Sequence, residues 1–265
     1  MVIVPNVFKG LGFTGSVSIM DAQTNSVLRE ISWAPTGTGS ALVLPVAAGA
    51  NRTKAYVSNI GSGQVSVISL ATRAIVKNVP VTFTPNGKQG PQFSIFDTLQ
   101  APIQVPVSPH GRFAAAAILS LTTVARPPTG SADHVAIIDT RTDTVVANLA
   151  TPAGTHGAHW GAKKGGGYYL YVTNQNSNAL TVIDPDPNGD GNGTDAKVVG
   201  RIILANGSVG AGVTDGTGGQ GLKPLPTMYN GWIQDTVALS GTGRLSPEVE
   251  GWIGQLTPEQ KNPTG

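Results

Sequence analysis

Short apolar runs alternate with polar turns along most of this chain, and residues 165–184 (GGGYYLYVTNQNSNALTVID) give the clearest example. Two apolar runs, at 168–172 and 180–183, flank a polar stretch rich in Asn. Asn tolerates the positive φ that a tight turn between antiparallel strands requires. The pattern therefore predicts a β-hairpin in this part of the chain.

Weaker copies of this hairpin recur, and the repeat is clearest at its third strand. Four predicted third strands start with Val or Leu and reach a polar residue four positions later: 17–21, 65–69, 135–139 and 180–184. A second strand precedes each one, at 2–6, 55–59, 114–120 and 169–174. Fourth strands rich in apolar residues follow at 27–31, 74–81, 144–149 and 198–204, and inner strands are expected before units two to four at 41–46, 103–107 and 155–160. Each unit of about 45 residues has the length of a β-propeller blade.

These units predict an all-β protein, a β-propeller or partial propeller of about four four-stranded antiparallel blades with a short C-terminal helix. One blade cannot bury both of its faces alone, so neighbouring blades must stack. The first unit starts within its second strand, and residues 221–229 are a candidate for its missing inner strand. We expect blades over 1–240 and a helical or linker tail over 241–265, where Ser246 and Pro247 favour a helix start.

Three insertions interrupt the repeat, at 82–99, 121–133 and 205–220. Long loops on a rigid scaffold are common places for binding surfaces, although mobile linkers without a role have the same appearance. Both interpretations are open from the sequence alone.

Composition narrows the classes of function. The 265 residues include 12% charged residues and no cysteine, and the formal net charge is +2. Without a cluster of basic and aromatic residues, this charge argues against a nucleic-acid partner. The lack of cysteine excludes disulfides, thiol nucleophiles and Cys-ligated metals. No apolar run reaches the roughly 18 residues of a transmembrane segment.

Two copies of the repeat carry a recognisable motif. Tyr171-Val-Thr-Asn174 lies before the third strand at 180–184, and Tyr56-Val-Ser-Asn59 lies before the one at 65–69. This pattern resembles the YVTN-repeat β-propellers, whose relatives include archaeal surface-layer propellers and the propeller domains of cytochrome d1 and nitrous oxide reductases. The resemblance implies a propeller that works outside the cytoplasm, in the periplasm, secreted or at the cell surface.

The number of units departs from the seven or eight blades usual in that family. Four blades form either a small ring, a ring with a degenerate fifth unit in 205–265, or part of a longer propeller. We favour an open arc that further chain or another subunit completes, so a protein partner or an oligomer is expected.

The strongest local motif is DPDPNGDGNGTD at 184–195, which begins at the last residue of the predicted third strand of unit four. Oxygen-bearing side chains occupy positions 1, 3, 5, 7, 9 and 12 of an EF-hand calcium loop, with Gly189 at position 6. The predicted calcium ligands are Asp184, Asp186, Asn188, Asp190, Asn192 and Asp195. Position 12 is Asp rather than Glu and no helices flank the loop, so an ordinary Asp/Asn/Gly turn is the alternative.

Histidines form the second constellation. His110 follows the expected inner strand of unit three, and His156 and His159 lie in that of unit four. Inner strands line a propeller's channel, and imidazole suits copper, zinc and iron. These three residues are therefore candidate ligands of copper or haem iron, with structural histidines bonded to backbone carbonyls as the alternative.

Motifs for other chemistry are absent. The chain has no Gly-x-Ser-x-Gly elbow and no P-loop, and the expected inner strands lack the carboxylates of a hydrolase or lactonase propeller. Two hypotheses remain: an interaction or scaffold module with a calcium-stabilised loop, and a subunit of a metal-dependent oxidoreductase with copper or haem iron held by the channel histidines.

Overall fold

The structure is a computed structural model that describes residues 1–9, 14–32, 44–51, 53–60, 62–81, 100–120, 133–204, 219–222, 224, 227–229, 232–234 and 247–261. The predicted insertion at 82–99 lies outside the described residues, and so do those at 121–133 and 205–220 except for residues 133, 219 and 220. Within the described ranges, the chain folds as an arc of antiparallel sheets that follow one another along the sequence, which confirms the predicted partial β-propeller.

Among the described residues, blade one has three strands, β1 (Val2–Lys9), β2 (Thr14–Met20) and β3 (Val27–Ser32). The next three blades have four strands each. Blade two consists of β4 (Leu44–Ala50), β5 (Lys54–Ile60), β6 (Gln64–Ser69) and β7 (Ala74–Pro80). Blade three consists of β8 (Gln100–Gln104), β9 (Phe113–Ser120), β10 (His134–Asp139) and β11 (Thr144–Ala150). Blade four consists of β12 (Thr155–Ala162), β13 (Tyr168–Asn174), β14 (Ala179–Asp184) and β15 (Lys197–Ile203).

Two details differ from the predicted strands. The inner strand of blade three ends at Gln104, and Val107 pairs only through an isolated bridge to Ala114. Pro106 has no N–H to donate, so it interrupts the ladder there. The candidate closing segment of blade one is also placed elsewhere, because β16 (Thr227–Tyr229) pairs with β17 (Trp232–Gln234), and the residues just before it approach β12 of blade four.

Apolar cores form between successive blades rather than within one sheet. Strand β9 shows the principle, since all eight of its residues are buried. Its alternate side chains, such as Ala116 and Ile118, join a core with blade two, whereas Phe113 and Ala117 join a core with blade four. A strand covered on both faces loses the apolar–polar alternation of a half-exposed strand, which explains the continuous apolar run of β9.

One bulge recurs at the same place in every blade. The register between the last two strands of each blade shifts at Ile19/Met20, Val67/Ile68, Ile137/Ile138 and Val182/Ile183. In the first three blades a short turn follows, with a left-handed residue at Asn25, Arg73 and Asp143. Blade four instead inserts the predicted calcium loop between β14 and β15, so the loop replaces a turn that the other blades share.

The C-terminal tail packs on blade four. Helix α1 (Pro247–Gly254) begins at the proline expected near its start, and a second short helix, α2 (Pro258–Lys261), follows where the sequence indicated a linker. The Gln260 side chain is fully buried and donates to the carbonyls of Lys163 and Gly167, at 2.6 and 2.7 Å. No helix in the described ranges is long and apolar enough to cross a membrane.

Candidate functional site: a cleft between blades three and four

A polar cleft of about 380 Å³ opens where blades three and four meet at one edge of the arc. Blade three contributes the turn with His110 and Arg112, and blade four contributes the β12–β13 turn and the start of the predicted calcium loop. Glu259 of α2 stands at the rim. The structure therefore brings one predicted histidine, His110, next to residues of the other predicted site.

The loop holds its shape through its own side chains. Asp186 Oδ2 accepts from the Gly191 N–H at 2.9 Å, and Asn188 Oδ1 accepts from Asp190 N–H at 2.9 Å. Asp190 Oδ1 in turn accepts from Asn192 N–H at 2.6 Å. Such Asx-type bonds favour a tight turn.

Two carboxylate oxygens of the loop are buried without a hydrogen-bond partner, Asp186 Oδ1 and Asp195 Oδ1. A buried carboxylate oxygen without a donor is unfavourable, and a cation is one group that satisfies it. Asp184 differs, because its Oδ2 accepts from Lys163 Nζ at 2.5 Å. Within the described ranges, no three His, Asp or Glu side chains already stand close enough together to form a metal centre.

The far half of the loop is anchored on blade three. Gly193 packs so closely that an added Cβ would lie 2.9 Å from Val146 and 3.0 Å from Phe113. The guanidinium of Arg112 occupies the place where a Cβ on Gly191 would stand, and Arg141 Nη2 donates to the Gly191 carbonyl at 3.0 Å. The loop thus ties blade four to blade three. Close packing requires glycine at position 193, and the positive φ of 79° favours it at position 191.

His110 is a neutral hydrogen-bond donor in this setting. Its Nδ1 accepts from the Arg112 N–H at 3.3 Å and lies 2.9 Å from the Ser108 hydroxyl, so the proton resides on Nε2. The ring packs edge-on against Tyr168 and Phe113, with centroid distances of 5.1 and 5.9 Å. Burial, with a smaller effect of the Arg112 charge, lowers the pKa of His110 to about 4.

Tyr168 is the residue of the cleft that sequence reasoning missed. Its side chain lines the cleft and only 3% of the residue is exposed, yet its hydroxyl has no hydrogen-bond partner. Burial raises the pKa of Tyr168, and the charge of Glu259 raises it further, so the phenol stays protonated. In the sequence Tyr168 resembles any strand tyrosine, because the neighbours that define the cleft come from distant turns.

The other two predicted histidines lie on β12, and each bonds a backbone carbonyl. His156 Nδ1 donates to the Gln220 carbonyl at 3.0 Å, and His159 Nδ1 donates to the Trp160 carbonyl at 3.1 Å. His110 contacts Tyr168, which pairs with Ala162 at the opposite end of β12 from His156. Ala162 lies six positions after His156, or roughly 20 Å along the strand. His110 and His156 are therefore too far apart for the three imidazoles to share one centre.

Comparison with known proteins gives likeness of fold only. No family model matches the chain, and no curated protein matches it. It is similar to the WD40 domain of Toxoplasma gondii coronin, with 10% identity, a TM-score of 0.45, and coverage of 71% of this chain and 41% of that one. It is also similar to a chain of a mitotic checkpoint complex, with 13% identity, a TM-score of 0.45, and coverage of 72% and 47%.

A third similar structure is the dihydro-heme d1 dehydrogenase NirN in complex with DHE, with 14% identity, a TM-score of 0.35, and coverage of 72% of this chain and 35% of that one. The chain spans less than half the length of each of these three solved chains. The assignment as a partial β-propeller therefore rests on strand order and pairing, and the YVTN family stays a prediction.

Proposed function

We propose that this chain is part of an extracytoplasmic YVTN-type β-propeller that acts as a protein-interaction or scaffold module, completed by further chain or another subunit. The observation that carries this proposal is the outer strand of blade four. Apolar side chains on and just after β15 are between 43% and 58% exposed: Val198, Val199, Ile202, Ile203 and Leu204. Among the described residues, β3 and β7 each expose one comparable side chain, Val27 and Val76.

An exposed apolar edge strand favours pairing with another chain, and soluble proteins normally cover or charge such edges. The test is the solution mass of the purified chain, measured by light scattering over a range of concentrations. We expect association that Ile203→Lys weakens and that the control Val76→Lys leaves unchanged. A monomeric mass at every concentration would contradict completion by a second subunit, and would leave further chain as the completing element.

We propose further that the loop at 184–195 binds Ca²⁺ and stabilises the junction of blades three and four. The two unpartnered carboxylate oxygens, on Asp186 and Asp195, support this. Since Lys163 already pairs with Asp184, we expect the ligands to come mainly from the later positions of the loop: Asp186, Asn188, Asp190, Asn192 and Asp195. Calcium prefers such carboxylate and amide oxygens on a tightly turned backbone.

Titration calorimetry of Ca²⁺ into chelator-stripped protein tests this binding directly. We expect one site per chain that Asp186→Asn and Asp195→Asn remove, while Asp21→Asn in the exposed turn of blade one leaves it intact. Binding that survives both loop variants would place the ion elsewhere, and no binding at millimolar Ca²⁺ would reduce the loop to an ordinary turn.

The redox subunit remains the second candidate function. His156 and His159 each give Nδ1–H to a backbone carbonyl, and metal-bound histidines commonly hold one ring nitrogen this way while the other binds the metal. Elemental analysis of the native protein separates the candidates. Copper or iron near one atom per chain, lost in His156→Ala and His159→Ala, favours the redox subunit, whereas calcium alone favours the scaffold.

A further inference from the structure

The floor of the cleft carries two neutral hydrogen-bond donors side by side. The Tyr168 hydroxyl is buried and has no partner, and the adjoining His110 ring carries its proton on Nε2. Leaving a buried hydroxyl without a hydrogen-bond partner is unfavourable. Because the Tyr168 side chain lines the cleft, a ligand atom with a lone pair that enters the cleft can become the partner of this hydroxyl.

The charges around the cleft select against ionic ligands. The carboxylates of Asp186 and Glu259 line it, and they repel an anion from the two donors. Arg112 also lines it and opposes a positively charged ligand, while Lys163 and Asp184 form an ion pair with each other. A neutral ligand that both accepts and donates hydrogen bonds fits this mixture, since its acceptors meet the two donors and one of its own O–H groups meets the Glu259 carboxylate.

One wall of the cleft is formed by backbone rather than side chains. Gly165, Gly166 and Gly167 all have positive φ, at 88°, 123° and 71°. A Cβ would meet nothing within 4 Å at Gly165 or Gly167. The space beside these two residues is therefore free, and no other part of the chain that the structure describes packs against them. The cleft of about 380 Å³ is at the small end of ligand sites, which suits one ring with hydroxyl groups better than an extended peptide.

We propose that this cleft binds a neutral carbohydrate, with one sugar residue seated between the glycine wall and the His110–Tyr168 floor. Sugar hydroxyls accept from Tyr168 O–H and His110 Nε2–H and donate to Glu259. This site goes beyond the scaffold function and uses neither of the loop oxygens assigned to calcium.

Saturation-transfer NMR tests the site, using methyl α-D-glucopyranoside, methyl α-D-mannopyranoside and N-acetyl-D-glucosamine as probes. Each sample is measured once with EGTA and once with excess Ca²⁺, and binding in either condition counts, so the outcome of the calcium experiment does not decide the result. Tyr168→Phe removes only the unpartnered hydroxyl, so this variant is expected to fold. Tyr171→Phe is the matched control, because Tyr171 lies on the same strand but outside this cleft.

We expect at least one glycoside to bind at millimolar concentration, about tenfold more weakly to Tyr168→Phe and unchanged to Tyr171→Phe. Equal binding to Tyr168→Phe and the wild type would overturn the proposal, as would no binding of any probe. A neutral amide, N-acetylglycine methylamide, is measured in parallel. If it binds in a Tyr168-dependent manner and the glycosides do not, the cleft recognises peptide and the proposal is wrong.

Discussion

Blades two and three are joined at the same edge of the arc as blades three and four, but by different chemistry. At the first junction, the short β10–β11 turn of blade three presents Asp143 to blade two. Asp143 accepts from the Tyr56 hydroxyl at 2.7 Å and from Lys54 Nζ at 2.6 Å. At the second junction, the longer β14–β15 loop of blade four presents Asp186 and Asp195, each with one buried oxygen that has no partner.

The two blade junctions are thus stabilised in two different ways. In the short turn, protein donors neutralise the carboxylate, so the junction is complete within the chain. In the long loop, Gly191 and Gly193 pack on blade three. One buried carboxylate oxygen each of Asp186 and Asp195 has no hydrogen-bond partner there. The first junction should therefore be indifferent to ions in solution, and the second should respond to them.

The largest expected effect comes from breaking the first junction. Asp143→Ala removes the carboxylate that the buried Tyr56 hydroxyl and the Lys54 ammonium share, and leaves them only the Thr140 carbonyl. It should lower the free energy of unfolding by about 3 kcal/mol. Asn25→Ala is the matched control, because Asn25 and Asp143 have the same left-handed φ, 55° and 52°. Urea denaturation of both variants measures the difference, and equal losses would show that backbone strain alone explains the effect.

The next effect sharpens the contrast between the junctions. Calcium at a hundredfold above its dissociation constant should stabilise the wild type by about 2.7 kcal/mol, since it binds only the folded loop. Asp143→Ala should keep this increment, and Asp186→Asn should lose it. Thermal denaturation with and without Ca²⁺ gives both values. An increment that Asp143→Ala abolishes would mean that the two junctions are one coupled unit.

The stability of the second junction should depend on pH through His110. Because the folded pKa of His110 is about 4, below the ordinary 6.5, the unfolded chain binds the proton more readily in that interval. Stability is therefore fully present above pH 6.5 and declines as pH falls towards 4, by about 2 kcal/mol once the partial exposure of the ring is allowed for. His110→Asn should flatten this slope in denaturation curves, and His156→Asn should retain it.

The smallest effect compares two tyrosines, one from each junction. Tyr56→Phe removes a hydroxyl that donates to Asp143 and should destabilise by about 1 kcal/mol. Tyr168→Phe removes a hydroxyl without a partner, so stability in the absence of ligand should stay the same or rise slightly. Melting temperatures of the two variants provide the measurement. A loss in Tyr168→Phe as large as that in Tyr56→Phe would mean that its hydroxyl is bonded in solution.

The blades were predictable because their evidence is local. Strands such as β6 and β14 follow directly from apolar alternation that ends at a polar turn residue. The inner strand near Pro106 was misjudged, because a proline without an N–H ends pairing within an otherwise apolar run. The second helix was missed as well, although Thr257 and Gln260 form a capping pair in which each side chain bonds the other's backbone N–H.

The candidate site was predictable only in parts. The oxygen-rich loop is a local motif, so the sequence identifies it. The sequence does not predict that Lys163 pairs with Asp184, the first residue of the loop. The meeting of His110 with Tyr168 depends on how two blades stack, and no spacing along the chain encodes that. The expected grouping of His110 with His156 and His159 did not form for the same reason, since the stacking of the blades places His110 near the Ala162 end of β12 and His156 lies at the other end.

The buried amide of Gln260 has a consequence for the order of events during synthesis. Its partner carbonyls lie 97 and 93 residues earlier in the chain, at Lys163 and Gly167. A ribosome that adds about 5–20 residues per second needs roughly 5–20 s to cover that distance. Blade four therefore leaves the ribosome with the outer side of its β12–β13 turn uncovered, and during this interval chaperones or other nascent chains have access to it.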